Sequence, residues 1–292
     1  MTKWPGRNSF LVYLGVRPWG LASAFRLYLD YTVAVLTRLL RLRKRLPGKS
    51  FPGSFMIGRS GLTVLKSGIV FRIRPRTSDL YILSGEDAPQ TAELFRPAQG
   101  QIVIDVGAHI GRFSLAAARS GAKLVAVEPN PDNYLLLREN LKKNGIRNAL
   151  CLNVALSNKL ETRELHYFRE DGATSSLRDN WLALRGRPGA QTRVAVKCRT
   201  LDSILDEFGI QHIDWLKIDV EGSEIQVLEG GLRALAVADN LVLEVSRGNE
   251  SLCLGLTGGA GFRLLHHEEG PVVSNWYLQG QHCTVFSSEP GR

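Results

Sequence analysis

Ile102-Val-Ile-Asp-Val-Gly-Ala-His-Ile-Gly111 is the stretch of sequence from which the fold can be worked out. Four of its first five residues are apolar, which is typical of a strand buried on both faces. Gly107 and Gly111 bracket a turn, where glycine tolerates unusual torsions and lets other atoms approach the backbone. The residues that follow, 113–119, predict a helix. In an open α/β sheet, a turn at the carboxyl end of a parallel strand is where nucleotides bind.

The glycine spacing indicates which nucleotide this turn would bind. Dinucleotide folds carry G-x-G-x-x-G, whereas this chain has G-x-x-x-G with Asp105 just before the first glycine. A carboxylate there disfavours a phosphate and favours a cofactor with a cationic amino-acid end. A second buried strand, 124–128, ends in Glu128, which can accept both hydroxyls of a ribose. S-adenosylmethionine fits both acids, although a strand-end acid can also simply cap the next helix.

Composition excludes several classes of protein. The chain has 292 residues, of which 44% are hydrophobic, and this is enough for a sizeable core. Its four cysteines are scattered without a C-x-x-C pair, which argues against a zinc site and a disulfide framework. No run of 18 uncharged apolar residues occurs, and the apolar run at 10–16 is too short for a secretory signal. We therefore expect a cytoplasmic protein without a transmembrane helix.

The net charge of +9 belongs to the N-terminal arm, residues 1–50. The arm contains ten Lys or Arg residues and one acid, whereas the rest of the chain has equal numbers of each sign. Residues 21–46 predict a basic amphipathic helix, which Pro47-Gly48 ends. Such a helix either attaches peripherally to an anionic membrane or packs on the domain. Nucleic acid is disfavoured as a partner because the basic surplus does not continue into the domain.

A lead-in region, residues 51–100, separates the arm from the main domain. Two short runs, Leu62–Leu65 and Ile69–Ile73, predict a small β-region, and residues 88–95 predict a helix. Arg72, Arg74 and Arg76 share one face of the second run, and Thr77-Ser-Asp79 follows it. These features place a small β/helix unit before the first core strand.

Strands and helices alternate from residue 101 onward, so residues 101–292 predict one domain with a parallel sheet and right-handed crossovers. The predicted strands are 102–106, 124–128, 149–154, 213–219 and 241–245, with 155–158 as a turn. The predicted helices are 111–119, 132–144, 201–208 and 223–235. Residues 262–266 and 283–286 predict two further strands, the last a candidate for antiparallel pairing. An insertion near 161–200 interrupts the alternation of strands and helices, and we predict that it forms a lid or substrate loop.

The same segments resemble the FkbM-type S-adenosylmethionine-dependent methyltransferases over residues 70–246. The matching motifs are Val103-Ile-Asp-Val-Gly-Ala-His-Ile-Gly111, Ala126-Val-Glu-Pro-Asn-Pro131, Asn153-Val-Ala-Leu-Ser157, Thr200-Leu-Asp-Ser-Ile-Leu205 and Lys217-Ile-Asp-Val-Glu-Gly-Ser-Glu224. The resemblance implies a seven-stranded Rossmann-like sheet with helices on both faces. It also implies O-methyl transfer to a hydroxyl or carboxylate of a small metabolite or sugar, with a lipid-linked glycan suggested by the basic arm. His109 departs from the family, which usually has Asn there.

The resemblance also implies the residues of the cofactor site. It places the methionine end of the cofactor at the turn after the first strand, the ribose on Glu128 and the adenine between two nearby turns. The cofactor-binding residues predicted in this way are Asp105, Gly107, Ala108, His109, Gly111, Glu128, Pro129, Asn130, Asn153 and Ala155. No dedicated metal site is predicted.

Asp219 and Glu221 follow the fourth core strand and are the predicted catalytic residues. Asp219 would orient or deprotonate an acceptor hydroxyl and Glu221 would assist it. Glu221 could instead cap the next helix, with Glu224 in its first turn, and Glu244 is a weaker candidate. A divalent ion bridging the acids is an alternative.

Three other functions are weighed against methyl transfer to a small molecule. A non-catalytic binding module that uses a methyltransferase fold remains open, and titration with S-adenosylmethionine is the test that separates it. A nucleic-acid base methyltransferase would carry an Asn/Asp-Pro-Pro-aromatic motif, which Asp219-Val-Glu-Gly222 lacks. A nicotinamide oxidoreductase is disfavoured by the glycine spacing.

Overall fold

The computed structural model describes residues 16–18, 62–74, 77–84, 94–147, 149–168, 175–178, 191–270 and 273–281. The predicted N-terminal helix 21–46, most of the predicted helix 88–95 and the predicted strand 283–286 lie outside the described residues. None of the helices within these ranges is long and apolar enough to cross a membrane.

The described elements contain the predicted core strands and helices in order, together with others that were not predicted, among them helices at 79–84 and 250–259 and a strand at 273–280. The first half contains β1 (Val16–Pro18), β2 (Leu62–Lys66), β3 (Ile69–Ile73), α1 (Asp79–Ser84), β4 (Ile102–Val106), α2 (Arg112–Arg119), β5 (Lys123–Val127), α3 (Pro131–Lys143), β6 (Leu150–Leu152) and β7 (Ala155–Leu156). The second half contains β8 (Glu161–Tyr167), β9 (Ser175–Ser176), β10 (Thr192–Arg199), α4 (Leu201–Phe208), β11 (Ile213–Ile218), α5 (Glu224–Glu229), α6 (Leu232–Ala236), β12 (Ala238–Ser246), α7 (Glu250–Gly259), β13 (Phe262–Glu269) and β14 (Val273–Gly280).

The main sheet has seven strands in the order β13-β14-β12-β11-β4-β5-β6. Strands β12, β11, β4, β5 and β6 are parallel, whereas β14 is antiparallel to both of its neighbours. Adjacent residues of a central strand pack on opposite faces, as the pleat requires. Val103 packs in a core with α2, α3 and β3, whereas Ile104 packs in a core with α4, α5, α6 and α7. The seven-stranded sheet with helices on both faces is therefore confirmed.

Several predicted boundaries are wrong; for example, the strand expected at 241–245 spans Ala238–Ser246. The strand expected at 149–154 ends at Leu152, and the expected turn contains β7, which pairs with β10 in a second sheet of order β7-β10-β8-β9. The helix expected over 223–235 is two helices, α5 and α6, separated by Gly230 and Gly231. It breaks there because the Gly230 backbone lies against the Ser157 carbonyl, where a Cβ would overlap, and the Gly230 carbonyl accepts from Asp202 N. The last described strand is β14, inserted between β12 and β13.

Two asparagines hold the lead-in region against the main domain. Asn140 and Asn144 lie one turn apart on α3, and each side chain both donates to and accepts from the backbone of β3. The two side-chain amides thus make the hydrogen bonds to the backbone of Val70 and Arg72 that a neighbouring strand would otherwise make. Asn140 also donates to the carbonyl of Ile110, at 3.0 Å, in the turn after β4. The lead-in is therefore tied directly to the turn in which the cofactor is expected.

Candidate functional site

The turn after β4 is fixed by the neighbouring strands. The backbone N–H groups of Gly107 and Ala108 both donate to the carbonyl of Val127, at 2.9 and 3.0 Å. Gly107 has a φ of +78°, and a Cβ there would overlap the carbonyl oxygen of Asp219. His109 is one of the described non-glycine residues with positive φ, at +51°. Such conformations cost free energy and cluster at functional sites, so the turn has the strain expected of a binding loop.

A buried lysine joins the first acid to the predicted catalytic acid. The Nζ of Lys217, on β11, lies 3.2 Å from Oδ1 of Asp105 and 3.5 Å from Oδ2 of Asp219, and it donates to the carbonyl of Gly107 at 3.2 Å. Burial lowers the pKa of Lys217, but the Asp105 and Asp219 carboxylates outweigh this, so the pKa is raised overall. Lys217 is therefore a cation at the centre of the site.

Asp105 lies at the end of β4 as predicted, but its carboxylate is fully buried. One oxygen accepts from Ser114 Oγ at 2.6 Å and the other pairs with Lys217. Neither Lys217 nor Ser114 was predicted from the sequence as a site residue. The available signal was a lysine in a strand with four apolar or aromatic residues, because a buried lysine nearly always has a charged partner.

Glu128 ends β5 and is buried, with 4% of its surface exposed. Its Oε2 accepts from the backbone N of His109 at 2.8 Å, and its Oε1 accepts from the backbone N of Asn130 at 3.0 Å and from Asn133 Nδ2 at 3.3 Å. Burial raises the pKa of Glu128 to about 7, although these hydrogen bonds act in the opposite direction. A carboxylate oxygen accepts two hydrogen bonds, so Oε2 retains capacity for a hydroxyl.

The residues predicted to lie near the adenine shape the backbone around Glu128. Asn130 caps α3 by accepting from the N–H groups of Asp132 and Asn133, and its Nδ2 donates to Ser175 Oγ at 3.0 Å. Asn153 Nδ2 donates to the carbonyls of Glu128 and Pro129, at 2.8 and 3.1 Å. Ala155 is buried in β7, where it pairs with Cys198. Contact of these residues with an adenine stays a prediction.

Three carboxylates converge at the ends of β11 and β12. One oxygen each from Asp219, Glu221 and Glu244 lies within 4.8 Å of the other two. The Asp219 side chain is 36% exposed, which leaves it accessible to an acceptor. Glu221 has a φ of +51°, so this turn, like the one at His109, holds a non-glycine residue in a left-handed conformation. The cluster offers proton acceptors, and its oxygen ligands would also suit a divalent ion.

Glu224 fixes the turn that carries Glu221. It is fully buried, and its Oε1 accepts from Gly222 N and from Ser246 Oγ, both at 2.7 Å. Its Oε2 accepts from Asn249 Nδ2 at 2.7 Å. The side chain therefore joins the start of α5 to the end of β12 and the start of α7, beyond the first-turn dipole interaction expected from the sequence.

The insertion reaches the site through β9. Ser175 accepts from Asn130, and Ser176 Oγ donates to the carbonyl of Glu221 at 2.6 Å. Ser176 is buried at 1% exposure and also accepts from the backbone N of Arg178. Two adjacent serines thus bridge the cofactor side and the acceptor side. The role of the insertion as a lid stays a prediction.

The donor set fits S-adenosylmethionine. The carboxylate of Glu128 can accept hydrogen bonds from its ribose hydroxyls, and the carboxylates of Asp219 and Glu244 suit the ammonium of its amino-acid end. The described turn has no run of free N–H groups for a phosphate, because Gly107 and Ala108 donate to Val127 and His109 to Glu128.

Several known proteins are similar to this chain. The methyltransferase sdnD of Sordaria araneosa is 33% identical over 153 residues, which cover 44% of this chain and 59% of that protein. The 31-O-demethyl-FK506 methyltransferase FkbM of Streptomyces tacrolimicus is 29% identical over 155 residues, covering 45% and 59%. The hexuronic acid methyltransferase AglP of Haloferax volcanii is 24% identical over 168 residues, covering 57% and 64%. The chain thus spans less than two thirds of the length of each of these relatives.

A solved structure, M. jannaschii TYW2 in complex with AdoMet, aligns with a TM-score of 0.42 at 17% identity, covering 80% of this chain and 89% of that chain. The family model described as the methyltransferase FkbM domain matches residues 105–257, more than half of the 292 residues. That match begins at Asp105 and spans Glu128, Lys217 and Asp219, so it covers these residues of the site. This chain belongs to the FkbM family of S-adenosylmethionine-dependent methyltransferases.

Proposed function

We propose that this chain transfers the methyl group of S-adenosylmethionine to a hydroxyl of a sugar or another small metabolite, with a carboxylate as the second kind of acceptor. The observation that carries the proposal is the position of Asp219. Its carbonyl lies against Gly107 in the cofactor turn, and its partly exposed carboxylate joins those of Glu221 and Glu244. A proton acceptor beside the cofactor turn is what a hydroxyl nucleophile needs.

Different residues of the site would have different roles in the methyl transfer. The cofactor supplies a methyl carbon on a sulfonium, which an acceptor oxygen attacks in line as the carbon–sulfur bond breaks and its electron pair stays on sulfur. Glu128 would hold the ribose of the cofactor beside the turn that Asp219 contacts. Asp219 accepts the proton that the hydroxyl loses, and Glu221 and Glu244 orient the acceptor. Alignment alone can lower such a barrier by several kcal/mol.

The charged side chains around Asp219 support its role as the general base. Lys217 is 3.5 Å from Asp219 on the protein side, whereas the two other carboxylates stand on the acceptor side. A proton that Asp219 takes from the acceptor would reduce the repulsion among the three carboxylates. The arrangement favours general base catalysis over mere positioning.

The names of two relatives support the acceptor class. One relative is named for a hexuronic acid, which is a sugar, and another for the 31-O position of a demethylated FK506. Both names fit a hydroxyl or carboxylate oxygen on a small metabolite. A base methyltransferase is not favoured, since the segment after β11 lacks the proline and aromatic residue that such enzymes use to hold a flipped base.

An acceptor screen tests the proposal. The full chain is incubated with methyl-labelled S-adenosylmethionine and fractionated metabolite and glycan extracts, and the products are analysed by mass spectrometry. We expect a labelled product that is heavier by one methyl group and whose label survives conditions that cleave methyl esters, if the acceptor is a hydroxyl. Binding of the cofactor without methyl transfer to any fraction would favour a non-catalytic module. Label on nitrogen or carbon would refute O-methylation.

We also propose that the N-terminal arm attaches the enzyme peripherally to anionic membranes, which would bring it to a lipid-linked glycan. This proposal rests on the sequence alone, because residues 1–50 lie outside the described residues apart from β1. Ten basic residues against one acid are the observation that supports it.

A further inference from the structure

The amino-acid end of S-adenosylmethionine carries an ammonium and a carboxylate, and the latter needs a cation. The acids described around the site suit the ammonium and the ribose but repel a carboxylate. Lys217 is an inadequate partner, because its side chain is 5% exposed and its Nζ already meets Asp105, Asp219 and the Gly107 carbonyl. A second cation beside the cofactor turn is therefore the candidate partner for the carboxylate.

Arg74, just after β3, is a cation held rigidly at this place. Its backbone N and Nε both donate to Oδ2 of Asp79, at 2.8 and 3.1 Å, and its Nη2 donates to Oδ1 at 2.7 Å. Asp79 is fully buried, whereas the Arg74 side chain retains 21% exposure. Asp79 thus occupies one edge of the guanidinium fork and leaves the Nη1 side for another acceptor, since no described residue accepts from Nη1.

His109 places this fork beside the cofactor turn. Its ring Nε2 lies 3.3 Å from Nη2 of Arg74 and 3.6 Å from Oδ1 of Asp79. The backbone N of the same residue donates to Glu128. One residue therefore contacts the predicted ribose acid with its backbone and the guanidinium with its ring. A cofactor with its ribose on Glu128 would have the guanidinium on the other side of His109, where its amino-acid end could reach it.

We propose that Arg74 binds the carboxylate of the cofactor's amino-acid end, with Asp79 and His109 holding the guanidinium in position. The inference rests on the proposed use of S-adenosylmethionine. It assigns a cofactor contact to the lead-in region, outside the 105–257 segment that matches the family model.

The test compares two cofactors that differ by this carboxylate alone. Calorimetry measures binding of S-adenosylmethionine and of decarboxylated S-adenosylmethionine to the full chain. We expect wild type to prefer the intact cofactor, and Arg74→Gln to weaken its binding about tenfold or more while changing binding of the decarboxylated form within about twofold. Equal affinity of wild type for the two cofactors, or equal losses for both in the variant, would overturn the inference.

Control variants separate Arg74 from its neighbours. Arg72→Gln removes an exposed arginine two residues earlier, which pairs with Glu139, and should leave both affinities unchanged. Arg112→Gln removes a cation at the start of α2, and a carboxylate-specific loss there instead of at Arg74 would overturn the inference. If Arg74→Gln unfolds because Asp79 loses its partner, the double variant Arg74→Gln/Asp79→Asn removes both charges and gives the same comparison. Failure of wild type to bind either cofactor would refute the proposed function itself.

Discussion

The backbone of Gly107 and the carbonyl oxygen of Asp219 lie so close that a Cβ on Gly107 would overlap that oxygen. The glycine of the cofactor turn is thus required by the neighbouring strand as well as by its own φ of +78°. A hydrogen bond from Asp219 N to the carbonyl of Val106, at 3.0 Å, continues the β4–β11 pairing to this point. The cofactor turn and the predicted catalytic acid therefore form one rigid unit.

Gly107→Ala should disrupt this unit. We expect loss of cofactor binding and a decrease in the free energy of unfolding, measured by calorimetry and denaturant titration. Gly145→Ala is a matched control, because Gly145 has a φ of +74° but has nothing within 4 Å of an added Cβ. The control should lower the free energy of unfolding by about 1–2 kcal/mol, which is the effect of a non-glycine residue in the left-handed conformation alone. Equal costs for the two variants would show that the contact with Asp219 is unimportant.

Lys217→Met should destabilise the protein by about 3–5 kcal/mol, because it leaves the fully buried Asp105 carboxylate without its charged partner. Denaturant titration measures the change. The double variant Asp105→Asn/Lys217→Met removes both charges and should recover much of the loss. Lys143→Met, at a 36% exposed lysine on α3, is the control and should change stability little. A double variant no more stable than Lys217→Met would contradict a role through Asp105.

The sequence predicted the parallel core because its strands carry uninterrupted apolar runs and its helices carry regular apolar spacing. Boundaries failed where a contact from elsewhere in the chain decided them. Gly230 ends α5 because the Ser157 backbone lies against it, and Ala155 joins a strand because Cys198 pairs with it. Such long-range contacts leave no periodic signal in either segment.

The positions of the site acids were predictable from the strand ends, whereas their partners were not. Asp105, Glu128 and Asp219 follow apolar runs that fix where each strand stops. Lys217, by contrast, lies within a strand, and only the pairing of β11 with β4 brings it to Asp105. The contact of Arg74 with His109 depends likewise on how β3 packs against α3.

The N-terminal arm gives a prediction about location. Full-length protein should co-sediment with vesicles containing anionic lipid at low salt. Replacing Arg41, Arg43, Lys44 and Arg45 by Gln should release most of it, at about 1 kcal/mol for each basic residue near the surface. The same replacement of Arg147, Lys159, Arg193 and Lys197 in the domain is the control. Wild type that stays in the supernatant would favour an arm that packs on the domain.

Glu128 gives a prediction about pH. Its pKa is about 7 in the folded chain against an ordinary 4.5, so the folded state binds more protons between these values. The contribution of Glu128 to the free energy of unfolding is therefore fully present below about pH 4.5 and is lost as pH rises through about 7. Cofactor affinity should change in the opposite direction, because the ionised carboxylate accepts ribose hydroxyls more strongly.

Calorimetry over this pH range tests the assignment. Glu128→Gln should weaken binding by about 1–3 kcal/mol and remove the rise in affinity through neutral pH. His109→Asn separates the two titrating candidates, because histidine ordinarily titrates in the same window. If the pH dependence disappears in His109→Asn and persists in Glu128→Gln, the histidine controls it.

Asp219→Asn gives the prediction about chemistry. The amide is nearly isosteric and can still accept a hydrogen bond, but it cannot take a proton from the acceptor. We expect turnover to fall about a hundredfold or more with cofactor affinity intact, as general base catalysis requires. Single-turnover rates with saturating cofactor, together with calorimetry, measure the two effects separately. Asp239→Asn, at the opposite end of the neighbouring strand β12, should change neither.

Two further outcomes would show that Asp219 is not the general base. Unchanged turnover in Asp219→Asn, with a large loss in Glu221→Gln or Glu244→Gln, would move the proton acceptor to that residue of the same cluster. Loss of wild-type turnover in chelator, restored by added Mg²⁺, would instead favour an ion held by the three carboxylates. In that case Asp219→Asn should also raise the Mg²⁺ concentration needed for half-maximal turnover, whereas a general base without a metal would leave turnover insensitive to Mg²⁺.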